Sequence, residues 1–421
     1  MFGAMFLLIV IGMPIAFGMG FATLACLWYY SAVPLIVLPQ RVVVNLDSYF
    51  MLAIPLFILA GYLMETGGIS ERIIRLASAL VGFLRGGLAQ VVIVATVIFS
   101  GLSGSSVADT AAIGSVMIPT MVRRGYPRAF STALVASAGG MGILIPPCIT
   151  MIIYGLLSDT SVGQLFLAGF LPGFLMAGGM MLITYVLARR RKFPVERQFS
   201  LTELYQAARG AALPLLMPII ILGGILGGIF TVTESAAVAV FYGFFLSVVV
   251  YREIRLRELP TIFVKTAVTT GVVTVLLALS GAFAWVLGRE RIPQQIAEFI
   301  GGMSSSPLFF LAMVNVLLLI AGCVMDGAAI LILFVPILVP IAVNLGVDLV
   351  HFGIVVTANI GIGMITPPVG ITLFTACGIG EVSISEVTKP LLPFIAMLMA
   401  TLLLITYWPG FTLLLPRLFF K

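Results

Sequence analysis

GYPRAFSTALVASAGGMGILIPP, residues 125–147, is matched 221 positions downstream by GVDLVHFGIVVTANIGIGMITPP, residues 346–368. Each begins at a glycine, runs through a long apolar stretch, and then breaks at spaced glycines and a double proline. Proline removes a backbone donor and pushes the preceding residue out of helical dihedrals, so each copy reads as a membrane helix that unwinds before its end. Working outward, Leu171 and Leu392 keep the same 221-residue spacing (392 − 171). Upstream, SGLSGSSVADTAAIGSVMIPTM from Ser100 is matched by AGCVMDGAAILILFVPIL from Ala321. Pairing Asp109 with Asp326 and Pro119 with Pro336 gives a spacing of 217 (326 − 109), so the sequence implies a four-residue insertion between the two blocks. Two copies of one unit with interruptions at matched places mark a secondary transporter.

Composition fixes the class. Of 421 residues, 61% are hydrophobic and 9% charged, and the mean hydropathy is +1.22. A soluble domain of this length needs far more charge on its surface. The apolar runs are continuous rather than alternating, which excludes a β-barrel and leaves an all-α polytopic membrane protein. The 44 glycines and 23 prolines suit membrane helices whose neighbours re-satisfy the backbone. The first segment is too long and glycine-rich for a cleavable signal and is expected to remain as a helix. The four cysteines lie in apolar segments without metal spacing and read as packing residues. The net charge of +6 requires no nucleic-acid partner, because topology accounts for it.

Spanning helices are expected at about 3–30, 50–66, 127–157, 165–188, 212–230, 233–251, 263–288, 348–380 and 388–416, with amphipathic connectors at 69–85, 198–210 and 290–302. Two apolar segments, 87–122 and 306–343, are broken near their middles. Each arm is about 15 residues, or ~22 Å of helix, too short to cross ~30 Å of hydrocarbon. Each therefore reads as a re-entrant hairpin whose tip is covered by protein or faces a water-filled cavity. The chain divides into a first scaffold helix (1–49), repeat 1 (50–190), an interfacial arm with central scaffold helices (198–260) and repeat 2 (261–421). With a cytoplasmic amino terminus, only Arg41, Arg289, Arg291, Arg417 and Lys421 of the 22 basic residues fall outside, leaving 17 inside, Lys192 and Arg197 among them. The positive-inside rule favours that orientation in a bacterial inner membrane, with a periplasmic carboxyl terminus and inverted repeats.

The breaks carry the candidate chemistry. Ser100 to Ser106 offers hydroxyls and glycine carbonyls at a hairpin tip, a ligand set for a hard cation, and the helix that follows presents its positive end to an anion. Asp109 lies in its first turn; a polar capping turn is the plainer reading of the same residues. Gly139, Gly140 and Gly142 before Pro146 and Pro147 leave unwound backbone, although a simple proline kink explains them as well. The second repeat supplies Asn359, Gly361, Gly363, Thr366 and Pro367, and the second tip supplies Gly322, Cys323 and Asp326. A carboxylate at mid-membrane depth is costly, which makes Asp326 a cation-ligand candidate and Asp109 a weaker one. His351 is read as interfacial and Glu234 as a helix cap. Gly223 to Gly228 (GGILGG) reads as a close-packing face. GLSGS lacks the context of a hydrolase elbow, and there is no Walker motif. No Lys or Arg falls in the centre of a predicted span, so an anionic substrate would depend on helix ends, hydroxyls and bound cations.

SGSSVADTAAIGSVMIPTMVRRGY, ASAGGMGILIPP and NIGIGMITPPVG together resemble the large membrane subunit of tripartite ATP-independent periplasmic (TRAP) transporters, and the likeness extends over essentially the whole chain. The resemblance implies an ion-transporter-type elevator fold with inverted repeats, each holding a re-entrant hairpin and a broken helix. It implies Na⁺-coupled uptake of organic acids of the C4-dicarboxylate, keto acid or sialic acid type. Its partners would be a small four-helix membrane subunit, a separate chain here, and a periplasmic substrate-binding protein. There would be no cofactor beyond Na⁺ as coupling ion, no transition metal and no catalysis. One cation site is expected around Ser103, Ser105, Ser106, Gly140 and Gly142, and a second around Asp326, Gly361, Gly363 and Thr366. Substrate is expected near Ser105, Ser106, Pro146, Asn359, Thr366 and Pro367. Two other readings compete: a stand-alone ion-coupled organic-anion carrier of the same fold, and an intramembrane aspartyl protease using Asp109 and Asp326.

Overall fold

A computed structural model describes residues 2–30, 33–47, 49–191, 193, 199–303 and 306–420. Lys192, Arg197 and Lys421, which contribute to the charge asymmetry, lie outside the described residues. All regular structure among the described residues is helical. The chain opens with α1 (Phe2–Val10), α2 (Ile15–Tyr30) and α3 (Val37–Leu46), followed by α4 (Ala53–Thr66) and α5 (Ile69–Val81). The first hairpin is α6 (Gly87–Ser103) and α7 (Ser106–Arg123). Its broken helix is α8 (Arg128–Gly142) and α9 (Ile149–Ser158), and α10 (Val162–Arg190) closes the repeat. Then come α11 (Leu201–Leu226), α12 (Val232–Phe244, continued by a π-helical stretch to Val250), α13 (Leu259–Arg289) and α14 (Ile292–Met303). The second hairpin is α15 (Pro307–Gly322) and α16 (Gly327–Asn344), followed by the broken helix α17 (Leu349–Gly363) and α18 (Ile371–Gly380) and by α19 (Ile384–Tyr407). Short α20 (Pro409–Thr412) and α21 (Leu414–Phe419) end the described chain.

The two repeats superimpose in sequence more simply than the paired aspartates suggest. Both α7 and α16 contain 18 residues. Their starts, Ser106 and Gly327, and their ends, Arg123 and Asn344, are each 221 positions apart. The broken helices α8 and α17 keep the same spacing at both ends. No insertion separates the hairpin from the broken helix. Asp326 therefore corresponds to Ser105, both being N-caps, and Asp109 corresponds to Ile330. The 217-residue pairing is a coincidence of composition, because capping roles rather than residue identities are duplicated.

Among the described residues, six helices are long and apolar enough to cross a bilayer alone: 162–190, 201–226, 232–250, 259–289, 327–344 and 384–407; the fifth is α16, so that arm of the second hairpin is longer than the sequence led one to expect. Starting from the open end of the first hairpin, the chain crosses through α8 and α9, returns through α10, and crosses again through α11, α12 and α13. Five crossings, an odd number, put the open end of the second hairpin on the opposite face, so the repeats are inverted. The amphipathic arms obey the same symmetry. α5 follows a 69° bend after α4, made possible by Gly68 at φ +67°. It buries Ile69, Ile73, Leu76 and Ala77 on one face and leaves Arg72 and Arg75 less covered on the other. α14 occupies the equivalent place before the second hairpin.

The core lies along α8 and α17, where residues 130–148 and 350–365 are buried throughout. The two helices cross glycine to glycine. A Cβ at Gly140 would lie 2.6 Å from the Gly361 carbonyl oxygen, and one at Gly363 would lie 2.6 Å from Gly322 Cα. These glycines are there for backbone approach. Some sequence expectations are modified. Residues 3–30 form two helices, because Gly12 (φ +97°) and Pro14 interrupt them. The connector expected at 198–210 and the span expected at 212–230 are one helix, α11, since no glycine–proline pair separates them. The last span ends at Tyr407, before Pro409. His351, in the first turn of α17, is 1% exposed, with Nδ1 2.8 Å from Thr412 Oγ1 and Nε2 3.2 Å from the Thr406 carbonyl. Glu234 does cap α12, closing a reciprocal box with Thr231.

Candidate cation and substrate site at the hairpin tips

Both tips form for local reasons. α6 stops where Gly104 adopts φ +64°. Ser105 then caps α7 by accepting from the Ala108 amide at 3.5 Å. In the second hairpin, Asp326 caps α16, accepting from the Ala328 amide at 3.0 Å. Each tip is tied to its own broken helix by a matching backbone bond. The Ile149 amide donates to the Gly104 carbonyl at 3.2 Å, and the Gly370 amide donates to the Cys323 carbonyl at 2.9 Å. Position 147 in one break and 368 in the other are prolines without an N–H, so these loops cannot complete a helical ladder.

The tips meet in one cavity of about 150 Å³. Ser105 and Ser106 from the first tip and Asp326 from the second line it, with Thr150 from α9 and Thr269 from α13. Its polar side-chain lining is oxygen throughout, and neither lysine nor arginine is among the lining residues. First-turn residues of α7, α9 and α16 all face it, so three positive helix ends converge on one small volume. The Asp326 carboxylate supplies the opposite charge. A hard cation and an acid group can therefore both be accommodated without a basic side chain. The volume is below the ~300–1,000 Å³ of drug-sized pockets, which suits a small molecule. Thr269 is held by a 3.0 Å contact with the Tyr62 hydroxyl. Ser106 Oγ lies 3.0 Å from Thr372 Oγ1 of α18, joining the first tip to the second broken helix.

Other expected site residues lie elsewhere. The Ser103 hydroxyl turns away from the cavity to donate to Asp109, whose second carboxylate oxygen accepts from Ser100. Asp109 is 1% exposed. A Cβ at Gly142 would lie 2.8 Å from its Oδ2, so Gly142 stands beside this carboxylate. Gly140 and Gly361 occupy the helix crossing, and Gly363 packs on Gly322. The Thr366 hydroxyl donates back to the Ile362 carbonyl at 2.7 Å, and Thr366 and Pro367 are half-buried while Pro146 is buried. Asn359 is not at the tips: it donates to Asn315 Oδ1 at 2.7 Å and to the Val355 carbonyl at 2.8 Å, and Asn315 bonds Thr406 at 3.0 Å. That polar chain braces α15, α17 and α19. The structure thus joins Ser105 and Ser106 with Asp326, which the family resemblance had assigned to different cation sites. It adds Thr150, the single threonine of α9, and Thr269, one of five threonines in α13, neither set apart by any local signal. A protease dyad is absent, since the Asp109 oxygens are engaged by Ser100 and Ser103 while Asp326 caps α16.

A family described as "Tripartite ATP-independent periplasmic transporter, DctM component" matches residues 2–411. The C4-dicarboxylate TRAP transporter large permease protein DctM of Pseudomonas aeruginosa is 44% identical over 371 residues, covering 88% of this chain and 87% of that protein. The sialic acid TRAP transporter large permease protein SiaM of Vibrio cholerae is 38% identical over 408 residues, 97% of this chain and 96% of that one. The isethionate TRAP transporter permease protein DctMQ of Oleidesulfovibrio alaskensis is 40% identical over 411 residues, which are 97% of this chain but 65% of that longer protein. In fold alone, the chain is similar to the crystal structure of the Alcanivorax borkumensis YdaH transporter, with a TM-score of 0.63 over 91% of this chain and 90% of that one at 18% identity.

Proposed function

We propose, from the premise that the chain belongs to the DctM family of tripartite ATP-independent periplasmic transporters, that it is the large membrane subunit of a Na⁺-coupled importer of small organic acids. The family is a transporter permease and not an enzyme. The observation that carries the coupling is the shared tip cavity: oxygen ligands and one carboxylate beside three helix N-termini, with no lysine or arginine among its lining residues. Cation and anion each supply charge that the other needs, so binding one lowers the cost of binding the other. The named ligands of the relatives, a C4-dicarboxylate, sialic acid and isethionate, share an acid group, and the substrate here is placed in that class, keto acids included.

Movement is assigned to the hairpins and broken helices, carried as an elevator against α1–α4 and α11–α13, with α5 and α14 as the arms. The chain spans the bacterial inner membrane several times, with its amino terminus in the cytoplasm and the first hairpin opening to that side. A separate small membrane subunit and a periplasmic binding protein complete the assembly, and the binding protein delivers the acid.

The test is co-reconstitution of the two membrane subunits in proteoliposomes with the binding protein outside. Uptake of labelled acid is expected under an inward Na⁺ gradient and not under an equal K⁺ gradient. Equal uptake in both would end the sodium reading. Uptake at full rate without the binding protein would favour the stand-alone carrier.

A further inference from the structure

The open end of the first hairpin, the arm α5 and the first turns of α11 enclose a cleft of about 590 Å³, separate from the tip cavity. Its polar wall presents Arg72 and Arg75 from α5 and Arg124 just beyond α7, with Glu203 the one acidic residue of the lining. Its other wall is apolar, built from Leu88, Val91, Val116 and Met117. Arg72 is fixed in place: it donates to the Gly68 carbonyl at 2.8 Å, lies 3.7 Å from Glu253, and stacks 3.7 Å above the Tyr251 ring. Arg75 lies 3.7 Å from Glu71 and is 75% exposed, so that pair is weak.

The fold itself does not require this charge. α14, the counterpart of α5, starts 223 positions later (292 − 69). At that spacing Arg72 and Arg75 fall on Gln295 and Glu298. Topology accounts for an excess of basic residues on one face. It does not account for three arginines lining one concave cleft whose opposite wall is apolar. A free dianion has no use for the apolar wall, and a hydrocarbon has none for the arginines. An amphiphile with an anionic head uses both, and α5 is amphipathic, as helices that lie among lipid headgroups are.

We infer that this cleft seats one anionic glycerophospholipid, its phosphate on Arg75 and Arg124 and the start of an acyl chain against Leu88, Val91 and Met117. The walls belong to both the arm and the hairpin. An occupied cleft therefore ties the base of the hairpin to α5 and α11, and lipid composition becomes a brake on hairpin movement.

Native mass spectrometry of the delipidated full chain tests this, with phosphatidylglycerol, phosphatidylcholine of the same acyl chains, and inorganic phosphate as probes. One phosphatidylglycerol is expected to bind more tightly than phosphatidylcholine. The double variant Arg75→Gln/Arg124→Gln is expected to weaken it about thirtyfold, from roughly a fivefold loss per arginine. Ala207→Trp, which fills the cleft and leaves every arginine in place, is expected to weaken it comparably. Arg255→Gln/Arg257→Gln, an equal loss of charge at exposed positions, is expected to leave binding unchanged. The inference is overturned if the Arg255/Arg257 pair matters as much, if Ala207→Trp binds like the unmodified chain, or if inorganic phosphate competes as well as phosphatidylglycerol.

Discussion

Replacing Gly140 by alanine tests the glycine crossing on which the whole site is hung. The added Cβ would lie 2.6 Å from the Gly361 carbonyl oxygen and 2.7 Å from Ile365 Cγ2. The first of these is a backbone atom of a helix buried from Val350 to Gly363, and it cannot rotate away. Overpacking of this kind costs about 1–3 kcal/mol. Alanine also gains up to ~1 kcal/mol over glycine in helix propensity, so a reference substitution is needed. Gly223 in α11 provides it, because nothing lies within 4 Å of an added Cβ there. The two variants share the propensity gain, and their difference isolates the clash. Gly140→Ala should fall below Gly223→Ala by about 1–3 kcal/mol, a fivefold to more than hundredfold change in the folded-to-unfolded ratio. Unfolding titrations in mixed detergent micelles, followed by intrinsic fluorescence, measure it. Equal stability of the two variants would refute the close crossing and the geometry that brings the tips together.

Three further outcomes follow from the site. Asp326→Asn keeps a side chain able to cap α16 but removes the charge; the Na⁺ concentration for half-maximal uptake should rise at least about tenfold, from roughly 1.4 kcal/mol of lost attraction, with stability nearly unchanged. Ser100→Ala/Ser103→Ala strips both hydroxyl donors from the buried Asp109 and should cost about 3 kcal/mol or more, whereas adding Asp109→Asn to that pair should recover part of the loss in the same unfolding titration. Asn315→Ala removes the partner of the buried Asn359 amide and should cost about 1–3 kcal/mol while leaving the Na⁺ dependence of uptake where it was.

Much of the architecture is legible in the residues. Each hairpin reveals itself by a polar, glycine-bearing break in the middle of an apolar segment, and each broken helix by glycines placed before a double proline. The arms at 69–85 and 290–302 show the amphipathic pattern of α5 and α14. Reading the acids as duplicated ligands misleads, because Asp326 and Ser105 share a capping role across different side chains, and Asp109 pairs with an isoleucine. Asn359 is polar and close to a break in sequence, yet it donates to Asn315 of a neighbouring helix, which in turn bonds Thr406. Thr150 and Thr269 carry no local pattern, so nothing short of the folded chain singles them out.

Membrane residence, the inverted duplication and the breaks in the two hairpins and their paired helices follow from the sequence alone, because hydropathy, chain length and proline act locally along the chain. The grouping of Ser105, Ser106, Thr150, Thr269 and Asp326 around one cavity belongs to the tertiary structure. These five come from four segments distant in sequence, brought together by glycines that let α8 and α17 touch backbone to backbone. Which polar side chain faces the cavity, and which is spent on a neighbouring helix, depends on rotations about helix axes that only packing sets.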